Sequence, residues 1–131
     1  MSRYVGLVLV SHSVDLVYGL QKLISQIEPE VPVAIAGGAE DNEIGTSAIK
    51  IKAAVETVRS EKGAILLFDL GSACMNAELA LEWLGDQRQV KIADAPLVEG
   101  AYAAVIESGC GGSLDEVWQA AQAARCQEKM I

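Results

Sequence analysis

The chain contains a single histidine, His12, which stands just past an apolar run in the sequence VGLVLVSHS, Val5 to Ser13. Near neutral pH an imidazole serves as base, metal ligand or nucleophile, and whatever holds one ring nitrogen decides the role of the other. A carboxylate accepting a hydrogen bond from Nδ1 fixes the tautomer, leaves Nε2 as the nucleophile and stabilises the ring when it becomes positively charged. Asp69 follows a second apolar run, in AILLFDLGSA, and is the candidate for that carboxylate. Around these two residues lie turns of small residues rich in peptide N–H donors: Ser13, Gly37-Gly38, Gly45-Thr46-Ser47 and Gly71-Ser72. Donors of this kind at the start of a helix receive anions. A histidine that accepts a phosphoryl group is therefore chemically sound here. The plainer reading is a histidine bonded to backbone, an aspartate closing a turn and glycines chosen for backbone freedom.

Other chemistries are poorly served. A metal site needs several ligands, and Cys74, Cys110 and Cys126 show no CxxC spacing, so neither metal nor cofactor is expected. The thiols read as reduced and partly buried. Neither GxGxxG nor a Walker A sequence follows the first apolar run. A histidine phosphatase wants an arginine beside its nucleophile, where this chain has serines. The net charge of −8 argues against general nucleic-acid binding, which depends on Lys and Arg. No apolar run approaches the ~20 residues that span a bilayer. With no signal-peptide pattern at the N-terminus, a cytoplasmic protein is the expectation.

The elements that would position His12 and Asp69 can be read in order. Val5 to Val10 is a continuous apolar run of the kind found in buried parallel strands. Ser13 and Asp15 then mark a helix start, and apolar positions carry that helix from about 14 to 28, where Pro29 ends it. A second strand spans Val31 to Ala36, followed by an exposed acidic loop, Ala39 to Gly45. Thr46-Ser47 caps a helix whose core stripe is Ile51, Ala54, Val55 and Val58. Ala64 to Phe68 is the third strand. The next helix buries Ala77, Ala80, Leu81 and Leu84 and stops at Gly85-Asp86. Val90 to Ala93 is a short edge strand, a helix runs over about 97 to 108, and Ser113 to Glu116 forms a capping box for the last helix. Phe68, Leu70 and Met75 flank the third strand's end; as an apolar rim they would exclude water from the site, and ordinary core is the simpler reading of them.

Strands alternating with helices predict an α/β fold of one domain, a doubly wound and mainly parallel sheet with helices on both faces. A strand order of 2-1-3-4, as in flavodoxin-like folds, makes strands 1 and 3 neighbours. His12 and Asp69 then meet at the carboxyl edge, beside the switch point where such sheets bind ligands.

Five motifs in this order, VSHS, AGG, EIGTS, FDLGSA and APLVEGAY, resemble the mannose-type enzyme IIA family of the phosphotransferase system, in the branch that serves phosphoenolpyruvate-dependent dihydroxyacetone kinases. The resemblance covers nearly the full length and implies a single domain over residues 1–131. It implies a homodimeric phosphotransferase component that takes a phosphoryl group from HPr and passes it to ADP held on the kinase subunit DhaL. On these residues it implies His12 as the phosphohistidine and Asp69 as its orienting carboxylate. Ser13, Gly38, Thr46, Gly71 and Ser72 match the pocket. A sugar-transporting enzyme IIA, handing phosphate to an enzyme IIB domain, is the nearest rival. There the histidine is typically followed by glycine and the third-strand turn reads like DLFGGSP, whereas this chain has Ser13 and DLGSACMN. A flavodoxin-like module that binds an anion without covalent chemistry is the alternative of another class.

Overall fold

The computed structural model describes residues 3–58, 60–85 and 89–130. Along the chain it forms β1 (Gly6–Ser11), α1 (Val14–Ile27), β2 (Val33–Gly37), α2 (Ala48–Thr57), β3 (Ala64–Phe68), α3 (Ala73–Leu84), β4 (Val90–Ile92), α4 (Leu97–Gly109) and α5 (Leu114–Ala123). A single 3₁₀ turn, Ala124–Cys126, follows the last helix and had no sequence signal. The strands pair in the order β2-β1-β3-β4, and all three pairings are parallel. This is the expected order.

The sheet is buried on both sides because side chains alternate along each strand. Leu7 and Leu9 of β1, with Ile65 and Leu67 of β3, pack against Val17, Leu20 and Ile24 of α1 and the small face of α4. Val8 and Val10, with Ala64 and Leu66, pack instead on Ile51, Ala54 and Val55 of α2 and Ala73, Ala77 and Ala80 of α3. Each of these side chains is at most 5% exposed, so the two central strands are fixed from both faces.

Serine caps begin three of the helices. Ser13, Ser47 and Ser113 accept from the N–H groups of Leu16, Lys50 and Glu116 at 3.3, 3.2 and 3.2 Å. Glu116 returns the bond to the Ser113 N–H at 2.9 Å, which completes the expected capping box. Some boundaries differ from expectation. β2 begins at Val33, because Pro32 has no N–H to give a ladder. β4 holds only three residues, at the sheet edge. Gly85 closes α3 at φ 75°, while Asp86, the other half of that stop signal, lies outside the described residues. Only Cys74 is partly buried; Cys110 caps the end of α4 and Cys126 ends the 3₁₀ turn, and both are exposed.

The approach of α1 to β2 sets where the first turn of α1 lies. A Cβ on Gly37 would fall 2.5 Å from Val17 Cγ2, 2.8 Å from Val14 Cα and 3.0 Å from the Ser13 carbonyl oxygen. Gly37→Ala is expected to cost ~1–3 kcal/mol in urea unfolding, the usual penalty for filling occupied space. An unchanged midpoint would show that α1 moves aside freely.

Candidate active site

β1 and β3 lie side by side with Val10 opposite Phe68, and the Asp69 N–H donates to the Val10 carbonyl at 3.1 Å. Ser11 and His12, which follow Val10, and Asp69, which follows Phe68, are therefore delivered to the same part of the carboxyl edge. His12 Nδ1 lies 3.0 Å from Asp69 Oδ1, with the two side chains 20% and 14% exposed. The pairing expected from topology is present.

Asp69 is held by four donors. Oδ1 faces His12 Nδ1 and accepts the Leu70 N–H at 2.7 Å. Oδ2 accepts the Ser11 hydroxyl at 2.8 Å and the His12 N–H at 3.0 Å. Burial is the largest single influence on this carboxyl and pushes its pKa up. The donors from the His12 backbone, Ser11, the His12 ring and Leu70 together outweigh it and hold the pKa below the ordinary value of 3.8. Asp69 is thus ionised at neutral pH, and an ionised carboxylate only accepts. In the neutral ring it follows that Nδ1 carries the proton and Nε2 presents a lone pair.

Ser72 occupies that lone pair, with its Oγ 2.8 Å from Nε2. Ser72 sits at the N-cap position of α3 yet makes no side-chain cap bond, so its hydroxyl is turned to the histidine instead of to its own helix. Ser13 joins the site through its backbone, its N–H donating to Ser11 Oγ at 3.0 Å while its own hydroxyl caps α1. Gly38, at φ 75°, donates its N–H to the Ser11 carbonyl at 3.0 Å, and a Cβ there would sit 2.8 Å from Val14 Cγ2. Only glycine suits that conformation and that space.

The other expected pocket residues have their bonds elsewhere. Thr46 Oγ1 accepts from Asn76 Nδ2 at 2.7 Å, tying the turn before α2 to α3. The preceding Gly45 N–H donates to the His12 carbonyl at 3.0 Å. Gly71 is an exposed turn residue with open space where a Cβ would stand, so packing does not require glycine there. Among the described residues, no hydrogen bond joins Thr46 or Gly71 to the His12 side chain.

Three contributors were missed from sequence. Ser11 is fully buried, Asn76 holds Thr46, and Lys50 pins the acidic loop by donating to the Gly37 carbonyl at 2.8 Å and Asn42 Oδ1 at 2.5 Å. Only Ser11 had a usable signal, as a polar side chain ending a buried strand. Leu70 and Met75 are not core: they are 60% and 80% exposed, because the turn after β3 and the first turn of α3 project past the packed layers. Phe68, by contrast, packs partly buried against the α2 and α3 side of the sheet. Among the described residues no group of three or more His, Cys, Asp or Glu side chains converges as a metal site would need. None of their helices is long and apolar enough to cross a membrane.

The model of the EIIA-man family, described as the PTS system fructose IIA component, matches residues 6–118. The DhaM phosphoryl donor subunit of the PEP-dependent dihydroxyacetone kinase of Providencia stuartii is 39% identical over 126 residues, which are 92% of this chain and 26% of that protein. DhaM of the PEP-dependent dihydroxyacetone kinase 1 of Listeria innocua is 39% identical over 103 residues, 79% of this chain and 81% of that protein. The chain thus spans about a quarter of the length of the longer curated relatives it matches and most of the shorter ones. A crystal structure titled as a protein of unknown function superimposes with a TM-score of 0.85 at 30% identity, covering 100% of both chains. A parallel 2-1-3-4 sheet with its histidine and aspartate at the switch point, together with these likenesses, shows that the chain belongs to the EIIA-man family, with DhaM subunits of phosphoenolpyruvate-dependent dihydroxyacetone kinases among its relatives.

Proposed function

We propose that His12 is a phosphoryl station between two proteins. It accepts the group from HPr and passes it to ADP held on DhaL, whose ATP then phosphorylates dihydroxyacetone. The observation that carries this reading is the pairing of His12 Nδ1 with Asp69 Oδ1 at 3.0 Å, which leaves Nε2 as the reacting atom. The relatives described as phosphoryl donor subunits support the direction of transfer.

In the accepting step the Nε2 lone pair attacks phosphorus while the bond from phosphorus to the donor's histidine breaks, and the donor keeps that electron pair. The His12 ring, now substituted at Nε2 and still protonated at Nδ1, becomes cationic, and the Asp69 carboxylate neutralises it. In the second step a terminal phosphate oxygen of ADP attacks, the N–P bond breaks and its electrons return to Nε2. No proton need leave the ring in either direction, so orientation and charge are what the protein supplies. Ser72 releases Nε2 to the incoming phosphorus and then donates to a phosphoryl oxygen. Ser13 begins the helix whose first turn faces the anion, Gly38 keeps the backbone behind it close, and Thr46 and Gly71 form the rim. Two copies associate as a homodimer in the cytoplasm, as the family resemblance implies.

The family's description as a sugar PTS component favours one rival, transfer to an enzyme IIB domain. Incubation with phosphoenolpyruvate, enzyme I and HPr is expected to yield an acid-labile, base-stable phosphoprotein, and His12→Ala to reduce labelling to background. Equal labelling of His12→Ala would refute the assignment. Presented with DhaL–ADP or an enzyme IIB domain, the phosphoprotein is expected to discharge to DhaL–ADP; rapid discharge to the IIB domain alone would establish the sugar pathway.

Asp69 also ties the site to stability. Its folded pKa lies below the ordinary 3.8, so its ionic contribution is complete above that value and is lost as the pH falls through the folded pKa. In urea unfolding, the advantage of the natural protein over Asp69→Asn is expected to shrink as the pH is lowered past 3.8. An advantage that grew on acidification would contradict the ionised carboxylate.

A further inference from the structure

We propose that Ser11 is a positioning residue for the transfer, its buried hydroxyl clamping Asp69 Oδ2 and thereby keeping Oδ1 on His12 Nδ1. The inference deepens the carrier reading and rests on it for its kinetic part.

Ser11 is the last residue of β1 and is completely buried. Its Oγ lies 2.8 Å from Asp69 Oδ2 and accepts the Ser13 N–H at 3.0 Å. A serine hydroxyl has one proton, and an ionised carboxylate has none to give. The proton therefore goes to Asp69, while Ser13 takes a lone pair. The hydroxyl is fixed at both ends.

What it fixes is a rotation. The torsion that turns a carboxylate plane is broad and roughly two-fold, so packing alone sets it poorly. Two donors on Oδ2, the Ser11 hydroxyl and the His12 N–H, define the plane, and Oδ1 is then aimed at Nδ1. The clamp itself stands on rigid backbone. Ser11 pairs with Gly37 in the β1–β2 ladder, and its carbonyl accepts the Gly38 N–H at 3.0 Å. Its side chain therefore starts from a fixed point, which is how a supporting residue holds a reacting one to a fraction of an ångström.

Without the hydroxyl, the His12 N–H on Oδ2 and the Leu70 N–H on Oδ1 are the donors left beside the ring, and the plane is held less tightly. His12 Nδ1 then loses its acceptor for part of the time, and the tautomer protonated at Nε2 becomes populated. That tautomer has no lone pair for phosphorus. A serine present merely to satisfy a buried turn would leave the tautomer untouched when removed.

Nitrogen-15 NMR of the His12 ring in the unphosphorylated chain reads this directly. The natural protein is expected to show a single tautomer protonated at Nδ1, and Ser11→Ala a mixture. With phospho-HPr as donor, the rate of His12 phosphorylation at saturation should fall by about 10- to 100-fold, the scale of a small misplacement. The concentration of HPr giving half the maximal rate should not change, since Ser11 is buried. In an Asp69→Ala background, Ser11→Ala should add less than about a twofold effect, because Ser11 acts through that carboxylate. If Ser11→Ala does not fold, Ser11→Cys, close in size with a weak donor, is expected to show the same losses.

A single unchanged tautomer with a near-natural rate would overturn the proposal, as would an equal loss in the Asp69→Ala background. Should the natural protein fail to accept phosphate from HPr, the carrier reading fails, yet the tautomer measurement still decides the clamp. A mixture in Ser11→Ala supports it, and an unchanged single tautomer overturns it.

Discussion

The site depends on how one carboxylate is satisfied. Asp69 loses water at the β1–β3 junction, and burial by itself would favour its neutral form. A neutral Asp69 would carry a proton of its own, would be a weaker acceptor for Nδ1–H and would have no charge to set against a cationic ring. Four donors reverse the balance, two of them backbone N–H groups from His12 and Leu70. Backbone donors are fixed by the chain path and do not depend on a rotamer. The charge state of the acid is thus written largely into the ends of two strands, and the tautomer of His12 follows from it.

Those strand ends are in turn set by topology. A parallel pair aligns its carboxyl ends, whereas an antiparallel pair would put His12 and Asp69 at opposite edges of the sheet. The 2-1-3-4 order makes the two chemically important strands the two central ones, covered on both faces and flanked by β2 and β4. A hydrogen bond at 3.0 Å between residues 57 positions apart then costs little additional ordering, because the sheet has already ordered both backbones. The helices serve the same end. α1 starts immediately after the histidine, and α3 starts with the serine that meets Nε2.

Much of this was legible from the residues, for definite reasons. β1 and β3 are short unbroken apolar runs bounded by polar turns, and such runs leave few readings once strands and helices alternate. From the resulting strand order, the meeting of His12 and Asp69 follows without any distance. The loop over 38–45 was harder. Its path is held by Lys50 to Asn42 and to Gly37, and by Gly45 to His12, contacts that no local pattern announces. Ser11 ends an apolar run, which marks it as a strand-end polar residue, but nothing in the run says that its hydroxyl is buried against Asp69. The apolar character of Leu70 and Met75 suits an exposed rim as well as a core, since apolar residues are often exposed, and only the layer geometry tells which.

The two nitrogens of the ring meet partners of different kinds, and under the proposed carrier reading the two do different work. Asp69 would favour the phosphorylated form, since that form carries the cationic ring it neutralises. Ser72 holds Nε2 at 2.8 Å in the free ring and would exchange that bond for one to a phosphoryl oxygen. A neutral hydrogen bond is worth about 0.5–1.5 kcal/mol net and one to a charged group about 1.5–3 kcal/mol, so the carboxylate is the larger influence. On that reading Asp69 sets how firmly the group is held, while Ser72 has a partner in both forms and costs the exchange little.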